Sequence, residues 1–104
     1  MSYIKLQSEY DDLYKYKDYY ENIYYYRKGK LTLHNPYGPA FISSDGNKEY
    51  YIENKLHRLD GPARVWVDNY EEYWINNELL TKEKFDVHPE RLKYLGKENL
   101  ICLG

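Results

Sequence analysis

One cysteine, one methionine, two phenylalanines and two tryptophans are all that this 104-residue chain holds of those types. The lone Cys102 cannot close an internal disulfide, so stability has to come from burial and hydrogen bonding. No apolar run approaches the ~18 residues of a membrane-spanning helix. Met1 to Tyr20 also lacks the charged-then-apolar pattern of a secretory leader, so a cytoplasmic, intracellular location is the expectation. An excess of positive charge is missing too. Fifteen Lys plus Arg stand against 17 Asp plus Glu, a formal charge of −2, without the dense cationic footprint of a duplex-binding protein. The glycines fall singly in turn-like contexts, so no phosphate cradle opens a helix. What is present in quantity is tyrosine. Fifteen Tyr supply amphipathic rings whose hydroxyls must find partners or stay wet. The length is that of a single domain over residues 1–104. Chains of this size remove only about two-thirds of their unfolded surface from water, which favours repetition of a small, well-paired unit.

Such a repetition is visible. Gly38-Pro39-Ala40 recurs as Gly61-Pro62-Ala63, and the same 23-residue offset relates Asp45 to Asp68, Tyr50 to Tyr73, Ile52 to Ile75, Asn54 to Asn77 and Leu56 to Leu79. Tyr25 to Leu31 lines up with Tyr50 to Leu56 at an offset of 25, which suggests that Asn35-Pro36-Tyr37 lengthens the first connecting loop by two residues. Two full units and a third that stops after Leu79 then occupy residues 24–80. Within the second unit Ala63, Val65 and Val67 alternate with Arg64, Trp66 and Asp68, and Tyr73 and Ile75 continue the inward set. Asp68-Asn69, Asn76-Asn77, Asp45-Gly46 and Lys28-Gly29 are placed as tight two-residue turns. The predicted fold is mainly β, an antiparallel β-hairpin meander of about three units with a short C-terminal helical appendage.

The stretch Asn54-Lys55-Leu56-His57-Arg58-Leu59-Asp60-Gly61-Pro62-Ala63, and its looser copy from Gly29 to Ala40, resemble the G-K-L-H-R-x-D-G-P-A signature of MORN-like β-hairpin repeats. The first copy has Thr32-Leu33-His34-Asn35 around the His-Arg step. The resemblance covers roughly Tyr24 to Leu80. It implies a scaffold for contacts more than a chemistry, and some bacterial members of such families are labelled antitoxins.

The flanks read differently. Thr81 is placed to cap a short helix through Phe85, and Pro89 to open a second one carrying Leu92 and Leu95 before a stop at Gly96. In residues 1–23, Tyr10, Leu13, Tyr14 and Lys17 fit a helical stripe, while Tyr14, Tyr16 and Tyr20 alternate as a strand does. A strand that extends the meander from its first edge is the preferred reading. Leu100 to Leu103 is a last strand or a packed tail.

Catalytic and metal chemistry find little support. His34, His57 and His88 lack the close spacing that delivers two ligands from one element, so no metal or cofactor is expected. His57 is expected to donate to a backbone carbonyl in the repeat turn, with Arg58 and Asp60 forming a local ion pair. Cys102, among Leu100, Ile101 and Leu103, suits a buried structural thiol. Asp11-Asp12 and Glu71-Glu72 are adjacent pairs, and neighbours on a strand point to opposite faces.

The productive constellation is aromatic. Alternation sends Tyr24, Tyr26, Phe41, Tyr51, Arg64, Trp66 and Trp74 to the face opposite the core, a band of rings edged by charge. Three readings stay open: the flanks cover this face as a second core layer, a protein partner docks on it, or single-stranded nucleic acid stacks on its rings. The expected function is non-enzymatic binding of a protein partner. Its strongest form is a stoichiometric inhibitor or antitoxin-like protein of phage or mobile-element origin that occludes a toxin or defence nuclease. The alternative is a single-stranded RNA or DNA binder using the rings beside Lys15, Lys17, Arg27, Lys28 and Lys30.

Overall fold

In the computed structural model, which describes residues 3–96, aromatic and β-branched residues occupy the longest strands, as the pleated backbone favours. Along the chain these elements are β1 (Ile4–Leu6), β2 (Leu13–Lys17), β3 (Ile23–Arg27), β4 (Phe41–Ile42), β5 (Lys48–Glu49), β6 (Tyr51–Ile52), β7 (Lys55–Leu56), β8 (Arg64–Val65), β9 (Glu71–Ile75) and β10 (Glu78–Leu80). Helices α1 (Lys82–Asp86) and α2 (Pro89–Tyr94) follow. Eight strands form one antiparallel sheet in the order β1-β2-β3-β4-β5-β8-β9-β10, and β6 pairs with β7 in a separate hairpin. The fold is mainly antiparallel β. Residues 13–17 join it as a strand, so the N-terminal tyrosines extend the meander.

The turns separate by length. Glu53-Asn54 and Asn76-Asn77 carry positive φ at both central positions, as two-residue turns of the hand that matches strand twist require. Asp45-Gly46 and Asp68-Asn69 do not form two-residue turns. Ser43 O bonds Gly46 N–H while Ser43 N–H reaches Asn47 O, and Trp66 makes the equivalent pair with Asn69 and Tyr70; in each three-residue loop only the last residue, Gly46 or Asn69, has positive φ. The Lys28-Gly29 turn is longer again, because Arg27 N–H donates to Thr32 O and leaves four residues outside the ladder. The two extra residues of the first unit therefore sit in this turn, not in the Asn35-Pro36-Tyr37 loop. Tyr26 bridges Leu33 where Tyr51 pairs Leu56, so Leu33, and not Leu31, is the counterpart of Leu56.

From Leu33 onward, hydrogen bonds recur at an offset of 23. Leu33 N–H donates to Asn54 Oδ1 and Leu56 N–H to Asn77 Oδ1. Glu53 N–H donates to His34 Nδ1 and Asn76 N–H to His57 Nδ1, both at 3.1 Å. Asn35 N–H reaches Tyr51 O, as Arg58 N–H reaches Trp74 O. Asn35 Nδ2 donates to Pro39 O, and Arg58 Nη1 donates to Pro62 O. His57 is thus an acceptor at its turn rather than the expected donor, since a neutral imidazole offers either role and the open backbone group here is an N–H.

The core lies on one side of the sheet. Leu13, Tyr25 and Ala40 form its first cluster, with Tyr10, Ile23, Leu33 and Tyr51 packed against it. Ala63, Ile75 and Phe85 are buried farther along. Thr81 caps α1 by accepting from Lys84 N–H, and α1 brings the Phe85 ring to 4.6 Å from that of Tyr73. His88 Nδ1 caps α2 through Glu90 N–H, Pro89 opens that helix, and Gly96 follows it at φ +73. Val67, expected inside, is 60% exposed. It lies beyond β8 in a three-residue loop, where its N–H donates to Asn47 Oδ1 and strand alternation no longer applies. Leu100 to Leu103, including Cys102, lie outside the described residues.

Candidate functional site

The register of seven strands draws one row across the sheet: Lys5, Tyr16, Tyr24, Phe41, Glu49, Arg64 and Glu72 stand opposite one another in turn. Because strand side chains alternate, Tyr14, Tyr26 and Trp74 share this face, and Trp66 continues it just beyond β8. Six of the seven residues expected to contact a partner thus fall on one side, whereas Tyr51, in the separate β6–β7 hairpin, reaches Glu49 with its hydroxyl but packs on the core cluster. Tyr73, which receives Phe85 of α1, lies on the opposite side. Among the described residues the helices therefore pack away from the aromatic face, and the N-terminal flank widens it.

The face has two parts. Over β2–β4 the rings touch in sequence: Tyr14 to Tyr16 at 6.2 Å, Tyr16 to Tyr26 at 5.8 Å, Tyr26 to Tyr24 at 6.2 Å and Tyr24 to Phe41 at 5.1 Å between centroids. Tyr3 stands edge-on to Tyr24. These rings are half-buried. Tyr24 O–H donates to Asp18 at 2.8 Å, and burial together with that carboxylate pushes its pKa up to about 12. Tyr3, Tyr14 and Tyr16 were not among the expected contact residues. The alternation of Tyr14 with Tyr16 was the available signal, and the register with β3 gives it meaning.

Over β5, β8 and β9 the same face is ionic. Arg64 lies between two carboxylates, with Nη2 3.0 Å from Glu49 and Nη1 3.3 Å from Glu72. Tyr51 O–H donates to Glu49, while Trp74 Nε1–H and Tyr70 O–H donate to Glu72. Burial opposes the charge of Arg64, but the two carboxylates outweigh it and raise its pKa. Tyr51 also packs on the Leu13 cluster, and burial plus Glu49 pushes its hydroxyl up to about 12. Arg64 and Tyr51 are thus internally engaged, whereas Trp66 is exposed beside Tyr70 at 5.1 Å.

The cations expected to serve a nucleic acid divide. Lys15, Lys17 and Arg27 pair across from Tyr25, Ile23 and Leu13, which puts them on the core side of the sheet. They reach Glu9, Glu21 and Glu53 respectively, and Lys30 also reaches Glu53. Lys28 lies by the Tyr14 ring.

A cleft of about 420 Å³ opens elsewhere, between the Asn35–Gly38 and His57–Asp60 loops, with Tyr50 and Tyr94 in its wall. Its polar groups are largely committed. Arg58 Nε donates to Asp60 at 2.8 Å and its guanidinium stacks 4.0 Å from the Tyr50 centroid, while the buried Asn35 bonds Pro39 O and Tyr37 N–H. The cleft is the seam between consecutive hairpins. A smaller, apolar hollow of about 250 Å³ lies on the aromatic face, walled by Tyr3, Tyr16, Tyr26 and Leu31.

Among the described residues no three His, Cys, Asp or Glu side chains converge as a metal-holding group, and no helix is long and apolar enough to cross a membrane. The chain matches no protein-family model, no curated protein and no solved structure.

Proposed function

We propose that this chain is a non-enzymatic binding module that docks a protein partner on its aromatic sheet face. The carrying observation is the continuous run of rings from Tyr14 to Phe41 on the side of the sheet away from α1 and α2. Large rings bury much area at modest entropic cost, which is why they anchor interfaces. The small size and the resemblance to MORN-like hairpin repeats favour a stoichiometric inhibitor or antitoxin-like protein of phage or mobile-element origin that occludes a toxin or defence nuclease.

The test is quantitative recovery of a stoichiometric partner on the tagged chain. Tyr24→Ala, Trp66→Ala and Trp74→Ala each probe a different part of the face. At least one is expected to lower recovery about tenfold, the size of a modest interface hot spot. Recovery unchanged from the parent chain on all three overturns the reading. The second reading, single-stranded RNA or DNA stacked on the rings, draws on Lys28 beside Tyr14. It is weakened by the placement of Lys15, Lys17 and Arg27 on the other side of the sheet.

A further inference from the structure

Lys5 and Lys28 converge on one ring. Their ammonium groups stand 4.2 Å and 5.2 Å from the Tyr14 centroid, and among the described residues neither has a carboxylate within ion-pairing distance. Lys15, Lys17, Arg27, Lys30, Arg58, Arg64 and Lys82 each have an acidic partner. Lys5 and Lys28 share with Lys48, Lys55, Lys84, Arg91 and Lys93 the lack of one among the described residues, and differ from these in converging on a single ring. Tyr14 in turn touches Tyr16, a wall of the 250 Å³ apolar hollow. Lys5 stands across from Tyr16 of the hollow, and both lysines line a separate polar pocket with Tyr14 and Asp11. Two positive charges without an ion-pair partner among the described residues therefore lie next to the aromatic-walled hollow on a chain whose net charge is −2.

Resting on the partner-docking reading above, we propose that this corner recognises an acidic protein segment. An aromatic or branched aliphatic side chain fills the hollow of Tyr3, Tyr16, Tyr26 and Leu31, and a neighbouring Asp or Glu carboxylate sits between Lys5 and Lys28. The hollow has the size for one such side chain, and its walls offer rings rather than donors. The lysines present the opposite need, since an ammonium resting on a ring face keeps donors free for a carboxylate.

Charge complementarity selects a protein over a nucleic acid. A strand of phosphates needs cations at successive steps. The row that begins at Lys5 instead passes through Tyr16, Tyr24 and Phe41 to Glu49, Arg64 and Glu72, a group whose one cation is already held by two carboxylates, so an extended polyanion would run from the lysines into net negative charge. A single acidic residue beside an apolar anchor meets no such conflict.

The test uses the full-length chain as bait for a displayed library of random 12-residue peptides. The recovered peptides should place Asp or Glu within two positions of Phe, Trp, Leu or Ile. A fluorescein-labelled synthetic copy of the most enriched peptide then reports affinity by anisotropy. The double variant Lys5→Glu/Lys28→Glu, and separately Leu31→Asp at the exposed rim, should each weaken it at least tenfold with circular dichroism and melting temperature unchanged. Lys84→Ala, on the exposed surface of α1 and away from this face, should leave it within twofold. Failure to recover peptides, recovery of basic or uncharged ones, or affinity unchanged from the parent chain in the lysine and Leu31 variants overturns the proposal. Tight binding of fluorescein-labelled dT12 that the peptide displaces also overturns it, in favour of a nucleic acid. Peptides that depend on Trp66 and Trp74 but not on Lys5 and Lys28 overturn this inference alone and leave the docking reading standing.

Discussion

Strands β1–β4 and strands β5, β8 and β9 share one sheet face but fill it in different ways. In the first region Tyr14, Tyr16, Tyr24, Tyr26 and Phe41 shield one another, and such ring pairs contribute about 0.5–1.5 kcal/mol each beyond the area they bury. In the second, Glu49, Arg64 and Glu72 form a three-member ionic clamp whose acceptors are further occupied by Tyr51, Tyr70 and Trp74. Rings impose weak directional demands, so the first region tolerates a hollow. The clamp fixes every member's direction, and removing one leaves the others unmatched. The difference teaches that an aromatic face is not uniform in readiness to bind: the ring region offers surface, whereas the ionic region has already matched its own charges.

The most direct way to break the comparison is to remove the centre of the clamp. Arg64→Ala leaves Glu49 and Glu72 facing each other with only partial access to water, and we expect a loss of about 2 kcal/mol in urea unfolding. The value is below that of a sealed ion pair because Arg64 keeps 30% of its side-chain surface open. Tyr16→Phe, which keeps the ring, should shift stability by no more than about 0.5 kcal/mol. Equal losses in the two variants would erase the distinction between the regions.

Next in size is a pair of substitutions that sharpens what the regions share. Asn54→Ala and Asn77→Ala each remove the acceptor for a backbone N–H of the preceding hairpin and force alanine into positive φ. Each should cost about 1–2 kcal/mol. The two costs should agree closely, and a large inequality in denaturant melts would show that the two seams differ.

The smallest effect is one of pH. Burial lowers the pKa of His34 against the pull of Glu53, and burial likewise lowers that of His57 against Glu90. Both rings accept a backbone N–H at Nδ1, which protonation abolishes. The unfolded rings take up protons near the ordinary value of about 6.5. Stability is therefore whole above that pH and declines as the pH falls through the lower folded values. His34→Asn, which keeps an acceptor in a similar place, should flatten the decline between pH 6.5 and 5 in a series of urea melts. An unchanged slope would remove this assignment.

Much of this face was readable from local alternation, because period two is a property of neighbouring residues. Ala63, Ile75 and Tyr25 turn inward, and Tyr24, Tyr26, Phe41, Arg64 and Trp74 turn the other way, as the pattern requires. The clamp was not readable. It arises only when β5, β8 and β9 align Glu49, Arg64 and Glu72, and that register links residues from different turns of the chain. Arg64 alone looked like a free contact residue for this reason. The position of the two extra residues was equally hidden, since a gap can slide between Tyr26 and Ala40 until a pairing such as Tyr26 with Leu33 pins it. Val67 continued an alternating string on paper, but the three-residue loop from which it projects ends the strand before it.

The interlocking of the hairpins has a last consequence. Glu53-Asn54 reaches back to Leu33 and His34, and Asn76-Asn77 reaches back to Leu56 and His57, so each turn is clasped to the hairpin before it. The stack consequently has a polarity. At its later end Asn76 Nδ2 donates to Glu90 of α2, and Arg91 Nη1 reaches back to Leu59 O. There a helix takes up the outer side of the last two-residue turn. At the early end the sheet continues as plain paired strands. Growth of such a stack by another hairpin would have to displace α2 at one end, but only to add a strand beside β1 at the other.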